Sequence, residues 1–538
     1  MRQHSTKRSL KMLLTVLLAF TLIFSLIGCS SGKSESESPT PNSTENFNKE
    51  GLPIVNEPIT LKVLTMRWGN MGDTFTQNQF LKDLEKNTNV KIEWQVVSSN
   101  DWAEQKSIML ASGTLPDIIL GDQTFSDSDI VNNLSYFLPL DDLIEQHMPN
   151  LKKAMEESPE LKKISTYPDG KMYSLPARLP SRPESRFQPV INKVWLDKLG
   201  LKAPETIDEL YTVFKAFKEN DPNGNGKNDE IPFTESKSLG YLLDSFGVTD
   251  AYDNFMSIQD GKPVYNYATE RYKEGLKWAH KLYAEGLIDQ EMFTQDSSMK
   301  AAKEQNAEAP IVGFSYQWTP DAVFGKWSDQ YVTIAPIAGP DGVRYQGGDP
   351  SGLSYSRNQL LITSSSKYPE IAARWADQFY TDEASIQNFW GAIGTVIEKN
   401  DDGTYTLMDP PAGTSADAWY WEQSLRDFGP KYVSPSFEEK IVLNPNKGDG
   451  LKLEINKLGS EFVTEPYPRV MYTAEEFQEL PTLTTDIDGY ARSMRAQWVT
   501  KGGIDEGWDA YIKKLNDMGL EKLMKIRTDA YNRYMSVK

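Results

Sequence analysis

A single cysteine, Cys29, and three histidines, His4, His147 and His280, are all the chain has of two chemically versatile residue types. One thiol excludes an intramolecular disulfide and a thiolate metal cluster. Three scattered imidazoles are too few for a transition-metal site. Positive charge is also in deficit, with 57 Lys and Arg against 76 Asp and Glu and a formal charge of −19. A field of that sign repels polyphosphate backbones and anionic lipid, which disfavours nucleic acid as a partner. No internal repeat is visible. What is present is ordinary globular material, 39% hydrophobic and 11% aromatic over 538 residues, enough for about two to four lobes or domains.

The N-terminus sets the compartment. Arg2, Lys7, Arg8 and Lys11 precede MLLTVLLAFTLIFSLIG, which stops at the cysteine. Basic residues, a short apolar core and a small residue before the break describe a secretory signal over 1–28, although the run also approaches the roughly 18 residues of a membrane span. Leu26-Ile27-Gly28-Cys29 resembles the bacterial lipobox. That resemblance implies cleavage before Cys29, a palmitate-type anchor on its sulfur, and residence on the extracellular face of the cell membrane. The following SSGKSESESPTPNSTENFNKEGLP carries little that can be buried, so 29–56 is expected to be a disordered tether.

Beyond the tether, strand and helix patterns alternate. ITLKVLT (59–65), VKIEWQVV (90–97), PDIIL (116–120) and RFQPVIN (186–192) read as strands, and 78–88 and 101–112 as helices between them. This order predicts a mostly parallel sheet covered by helices. In TIDELYTVFKAFKEN, Thr206 is a candidate N-cap with Glu209 three residues on. Ile207, Leu210, Val213, Phe214 and Phe217 share one face of that helix. Further helices are expected at 268–285, 369–380, 383–390, 486–500 and 506–534, with shorter strands at 309–314 and 331–337.

ASGTLPDIIL, DGKMYSLP, INKVWLDKLGLKAPETIDELYTVFKAF, YVTIAPIAGPDG and SSKYPEIAARWADQFYTDEASIQNFWGAIG follow one another in this order. Together they resemble the extracellular solute-binding proteins (family 1) of carbohydrate ABC transporters. The C-terminal DIDGYARSMRAQWVTKGGIDEGWDAYIKKLNDMGLEKLMKIRTDAYNRY is similar to the LipO-type lipoproteins. The resemblance implies a periplasmic-binding-protein-like α/β fold, with two α/β lobes around a ligand cleft and a hinge. It also implies an oligosaccharide ligand, delivery to an ABC permease, and a monomer. The N-terminal lobe is expected from 57–178 and 355–408, and the C-terminal lobe from 179–354 and 409–538.

DPNGNGKNDEIPF, Asp221 to Phe233, places Asp221, Asn223 and Asn225 at positions 1, 3 and 5 of a calcium-loop pattern, with Gly226 at the sharp turn. Position 12 is Pro232, which rules out an EF-hand, and composition alone also allows a plain Asn/Gly turn after a helix. The segment resembles the calcium loop of alginate-binding receptors. That match implies a structural calcium on Asp221, Asn223, Asn225, the main-chain oxygen of Lys227, Asp229 and Glu230.

A sugar cleft needs aromatic plates beside hydrogen-bonding groups. Candidates at strand ends or in polar loops are Arg67, Trp68, Asp122, Arg178, Tyr316, Trp318 and Trp390; Tyr316 and Trp318, in GFSYQWTP, match in position the stacking tryptophan of related receptors, while Trp278 and Trp375 fall inside amphipathic helices and are assigned to core. Two other functions stay open. One is a peptide or signal receptor of the same fold. The other is an extracellular polysaccharide-degrading enzyme, for which no spacing singles out paired carboxylates.

Overall fold

The computed structural model describes residues 46–537, apart from 69–72, 236–238, 250–254, 350–352 and 412–415. The expected signal segment and Cys29 lie outside the described residues. Among the described residues no helix is long and apolar enough to cross a membrane.

Ile59–Arg67 and Val90–Ser98 are rich in β-branched residues and pair in parallel from Ile59 with Val90 to Arg67 with Ser98. Ile118–Leu120 lies on the other side of the first strand, also in parallel. Helical crossovers supply the connections that parallel strands require. The first, Gln79–Thr88, is capped by Asn78, whose side chain accepts from the Phe80 N–H at 2.7 Å. The second, Ser99–Ser112, ends on Gly113 in the left-handed region at φ 67°. Tyr355–Ile362 then runs antiparallel to both Ile118–Leu120 and Leu175–Arg178, and Lys431–Tyr432 completes a six-stranded sheet beside Ala177 and Arg178. Its core includes Leu61, Val63, Ile119, Leu360 and Trp375.

A second sheet of four strands orders Tyr331–Thr333, Gln188–Asn192, Val312–Gln317 and Ile231–Phe233. Phe214 and Phe217 of helix Ile207–Glu219 pack beneath it, with Thr206 accepting from the Glu209 N–H at 3.3 Å as expected of a cap. Three short strands, Ile397–Lys399, Tyr405–Leu407 and Ile441–Val442, form a minor sheet over a core of Ile386, Phe389, Trp390 and Val396.

The chain passes between the lobes three times: from Arg178 to Gln188, from Gly347 to Tyr355, and from Tyr432 to Val463–Thr464, which pairs with Gln346–Gly347 in a separate two-stranded sheet. Helix Glu160–Ser165 wedges between the lobes, with Leu161 in the first core and Ile164 in the second. Arg357 clamps the same place. It pairs with Asp127, its Nε lying 2.9 Å from Oδ1, and its terminal nitrogens donate to the carbonyls of Ile164, Arg469 and Val470.

Three expectations change. The stretch 46–56 is not tether: Phe47 bridges Val55, Ile54 and Val55 are fully buried, and Arg374 donates to the carbonyls of Asn48 and Gly51. Of the apolar residues in FNKEGLPIV, Ile54 and Val55 are buried and Phe47 packs on the first core, while Leu52 stays exposed. The lobe boundary at 408 also moves, because Trp421, Leu425, Phe428 and Tyr432 all join the first core. Finally, the C-terminal pair of helices is a trio, Ala474–Lys501, Ile504–Asp517 and Leu520–Ser536. Pro481 sits inside the first, and Gly519 at φ 102° separates the last two.

Candidate ligand edge and cation loop

Strand directions decide where the candidate residues gather. In the first sheet the strands ending at Arg67, Leu120, Arg178 and Tyr432 all run the same way. In the second, the carboxyl ends at Phe233, Gln317 and Thr333 share an edge with the start of the strand at Gln188. Only residues 179–187 separate Arg178 from Gln188, so the crossover joins these two edges. Carboxyl edges are where open α/β sheets place ligands.

A half-exposed tryptophan follows a strand on each edge. Trp68 comes after Arg67 and is 39% exposed; Trp318 comes after Gln317 and is half-buried. Behind Trp68, Arg67 is only 1% exposed, with its guanidinium 4.6 Å from the Phe75 ring centroid and 5.2 Å from that of Trp421, and it donates to the Trp421 carbonyl. Its remaining nitrogens have no partner among the described residues, and burial lowers its pKa to about 10, with Asp427 opposing the shift. Arg67 thus pins the 421–428 segment to the first strand.

Asp122 accepts from the Ser356 hydroxyl at 2.9 Å; burial raises its pKa and Arg469 pulls the other way. Arg178 donates to the Val433 carbonyl at 2.8 Å and pairs with Glu438 at 2.9 Å. The three charged candidates of the first edge, Arg67, Asp122 and Arg178, are therefore each tied to protein groups, and of the four candidates there Trp68 alone is exposed.

Two aromatic candidates are core. Tyr316 lies within a strand buried along its whole length, stacked on Tyr241 with centroids 5.8 Å apart. Trp390 is fully buried, its indole N–H donating to Asp449 at 3.0 Å. Trp375 is buried as expected, and Trp278 packs on Phe246 at the rim of the second core.

Residues that sequence reasoning missed sit beside these. Glu235, just past the strand end, is 3% exposed with Oε2 unpaired among the described residues, and burial raises its pKa to about 7. Gln188 is fully buried with both amide atoms unpaired among the described residues. Lys452 donates to the Arg186 carbonyl at 2.7 Å and lies 4.7 Å from the Trp318 ring centroid. No local motif marks any of the three; sheet topology alone assembles them.

The Asp221 loop links helix Ile207–Glu219 to strand Ile231–Phe233. Asp221, Gly224 and Gly226 take φ of 46°, 72° and 74°, turning the chain tightly. Asp221 Oδ1 accepts from the Gly224 and Asn225 N–H groups, and Oδ2 from Gly226. The Asn223 and Asn225 amides both donate to Asp229, at 3.0 and 3.1 Å. Among the described residues no three His, Cys, Asp or Glu side chains form a metal-holding group. The donor set nevertheless fits a hard cation, because it mixes carboxylate, amide and main-chain oxygens. Glu230 supplies the test: it is 2% exposed, neither carboxylate oxygen has a well-formed hydrogen bond among the described residues, and burial raises its pKa, with Asp221 and Asp229 adding to the shift and the backbone N–H groups of Glu230 and Asn223 opposing it. A buried carboxylate without a donor is costly unless a cation compensates it.

With this geometry in place, comparison settles the family. The model of the bacterial extracellular solute-binding protein matches residues 68–386. The chain belongs to that family. It is 33% identical to the fructooligosaccharide ABC transporter substrate-binding protein FusA of Streptococcus pneumoniae, over 92% of this chain and 94% of that protein. Two proteins of Bacillus subtilis are also similar: lipoprotein LipO, 32% identical over 83% of this chain and 87% of LipO, and the polygalacturonan/rhamnogalacturonan-binding protein YtcQ, 27% identical over 81% and 85%. Among solved structures, the fold matches an HMO-binding, ABC-transporter-associated solute-binding protein of Bifidobacterium longum infantis with TM-score 0.79, 29% identity and coverage of 89% of this chain and 99% of that one. FusA in complex with kestose matches with TM-score 0.75 and 32% identity, covering 89% and 100%. Alginate-binding protein AlgQ2 without calcium ion matches with TM-score 0.65 and 25% identity, covering 90% and 100%. The periplasmic-binding-protein-like α/β fold is thereby established.

Proposed function

We propose that this protein is the ligand-capturing component of an ABC importer, binding an oligosaccharide between its two lobes and delivering it to the permease. The observation that carries this is the placement of Trp68 and Trp318, one on each joined sheet edge and each retaining exposed surface. Two plates of that kind suit the apolar CH faces of sugar rings, and flanking buried polar groups suit their hydroxyls. The relatives support the class: one is named for fructooligosaccharides, another for polygalacturonan and rhamnogalacturonan, and the kestose complex shares this fold. The mature protein is a monomer held at the outer membrane face by acyl chains on Cys29.

A structural calcium ion completes this reading, held by Asp221, Asn223, Asn225, Lys227 O, Asp229 and Glu230. When bound it supplies the positive charge that the Glu230 carboxylate lacks. The relative FusA has also been solved as an EF-hand mutant in complex with fructo-nystose.

Calorimetric titration of the mature protein with kestose, longer fructans, galacturonate oligomers and peptides, each with and without EDTA, tests the proposal. Saturable binding of at least one glycan is expected. Binding of peptides with no response to any glycan would sink the sugar reading, and release of shorter sugars on incubation would replace it with an enzyme.

A further inference from the structure

Lys452 is fully buried. Its ammonium donates to the Arg186 carbonyl at 2.7 Å, and the charge that acts on it is the like charge of Arg186. Lysines are rarely enclosed without a carboxylate. Here the enclosing group is Trp318, whose ring centroid lies 4.7 Å from Nζ. Because Lys452 has no solvent exposure, the ring surface it covers is closed, and the exposure that Trp318 keeps lies elsewhere on the indole.

The helix carrying it, Gly448–Asn456, is held at both ends. Asp449 accepts from Trp390 at 3.0 Å and pairs with Arg182 at 3.4 Å and Arg426 at 3.3 Å; Asn456 accepts from the Ser185 N–H at 3.3 Å. The lysine is therefore clamped between the minor core, the crossover and the second sheet edge.

We propose that Lys452 is the positioning residue of the Trp318 plate, its ammonium fixing the indole plane against the crossover so that the ligand meets a preset stacking surface. This rests on the reading of Trp318 as a ligand plate. The ammonium attracts the ring quadrupole and makes a charge-assisted bond to the carbonyl; on deprotonation the first is lost and the second weakens to that of a neutral amine. Loss of hydration and Arg186 bring its pKa down to about 7. The other charged groups around it are engaged: Arg186 faces Asp349 at 3.7 Å, Glu454 on the same helix turns to Lys457 at 2.7 Å, and Asp449 serves the two arginines. The pH dependence has a defined sign. A lysine whose folded pKa lies below its unfolded value penalises the fold fully below pH 7, and the penalty is relieved as pH rises from about 7 towards about 10.4. Ligand affinity runs the other way, falling as pH passes through 7.

Lys452→Met keeps the stem and removes the charge. Its Tm is expected above that of the wild type at pH 6 and equal to it near pH 10, while kestose affinity at pH 6 drops about tenfold. Wild-type affinity falls between pH 6 and 8.5; that of Lys452→Met stays flat, and Lys452→Arg keeps high affinity at both. Without sugar, the fluorescence difference between wild type and Trp318→Phe shifts across pH 7, and the shift is absent in the Lys452→Met background. A lower Tm for Lys452→Met at pH 6, or a pH-independent fluorescence difference, overturns the proposal whether or not any glycan binds. Trp318→Ala with full affinity would overturn the stacking reading itself. Lost affinity in Trp318→Ala with a wild-type pH profile in Lys452→Met removes only the role of Lys452.

Discussion

Lys431 on the first lobe's edge and Lys452 beside the second lobe's edge are a matched pair with opposite surroundings. Both are fully buried, and loss of hydration lowers the pKa of each to about 7. Lys431 donates to two carbonyls, those of Phe428 at 2.9 Å and Gly429 at 2.6 Å, with Asp427 and Asp122 near enough to favour its charge. Lys452 has one carbonyl, an aromatic ring and a like charge. The neighbourhoods differ less: Arg67, Asp122 and Arg178 are tied to protein groups although two Arg67 nitrogens stay unpaired, and on the second edge Glu235 Oε2 and both amide atoms of Gln188 are unpaired among the described residues. Both edges carry unpaired polar atoms, and the second includes a fully buried amide with neither atom paired.

The largest expected effect separates the lobes outright. If the Asp221 loop holds calcium, EDTA should lower stability by roughly 3–4 kcal/mol at an ion concentration about a thousandfold above Kd. Hydrogen exchange should place the loss in the second sheet and helix Ile207–Glu219, leaving the first sheet unchanged. Glu230→Gln should reproduce most of it, and equal loosening of both lobes would break the distinction.

Next is Lys431→Met, which leaves the Phe428 and Gly429 carbonyls without a donor and should cost about 2–3 kcal/mol, read as a lowered denaturation midpoint near pH 10, where the low-pH penalty of the buried charge is already relieved. Lys452→Met, which removes one carbonyl contact, should lose less at that pH; an equal loss would end the comparison. Glu235→Gln tests the second edge by pH. The Glu235 carboxyl titrates near 7 in the fold, above its unfolded value, so the fold binds the extra proton and loses stability as pH rises from about 4.5 to 7. The variant should gain up to about 2 kcal/mol at pH 8 and nothing at pH 4, in matched chemical unfolding curves. The smallest effect is on binding: Trp318→Ala should cost about 1–2 kcal/mol of glycan affinity by titration, and Trp68→Ala somewhat less.

Much of the fold was legible because period and punctuation agree locally. The strand pair at 59 and 90, the Asn78 and Thr206 caps and the Gly113 stop all depend on neighbouring residues only. The aromatic candidates show where that logic stops. Trp68 and Trp318 directly follow strands and keep exposed surface, but Tyr316, one residue inside its strand end, belongs to a strand covered on both faces. Trp390 ends a helix in a loop-rich setting, and burial comes from the minor sheet, which nothing nearby in sequence announces. Lys452 was invisible for the same reason: its partners Arg186 and Trp318 lie far off along the chain. The helix through Pro481 likewise defies a local breaker signal, and Gly519 supplies one that a continuous apolar pattern concealed.

The strap at 46–56 has a mechanical consequence. Phe47, Ile54 and Val55 join the first core, and Arg374 grips the carbonyls of Asn48 and Gly51. Any tension arriving along the chain from the N-terminal side is therefore borne by the first lobe. Under the proposed anchoring through Cys29, that lobe would be the chassis, and the second lobe, with the proposed cation loop and indole plate, would be the arm it carries.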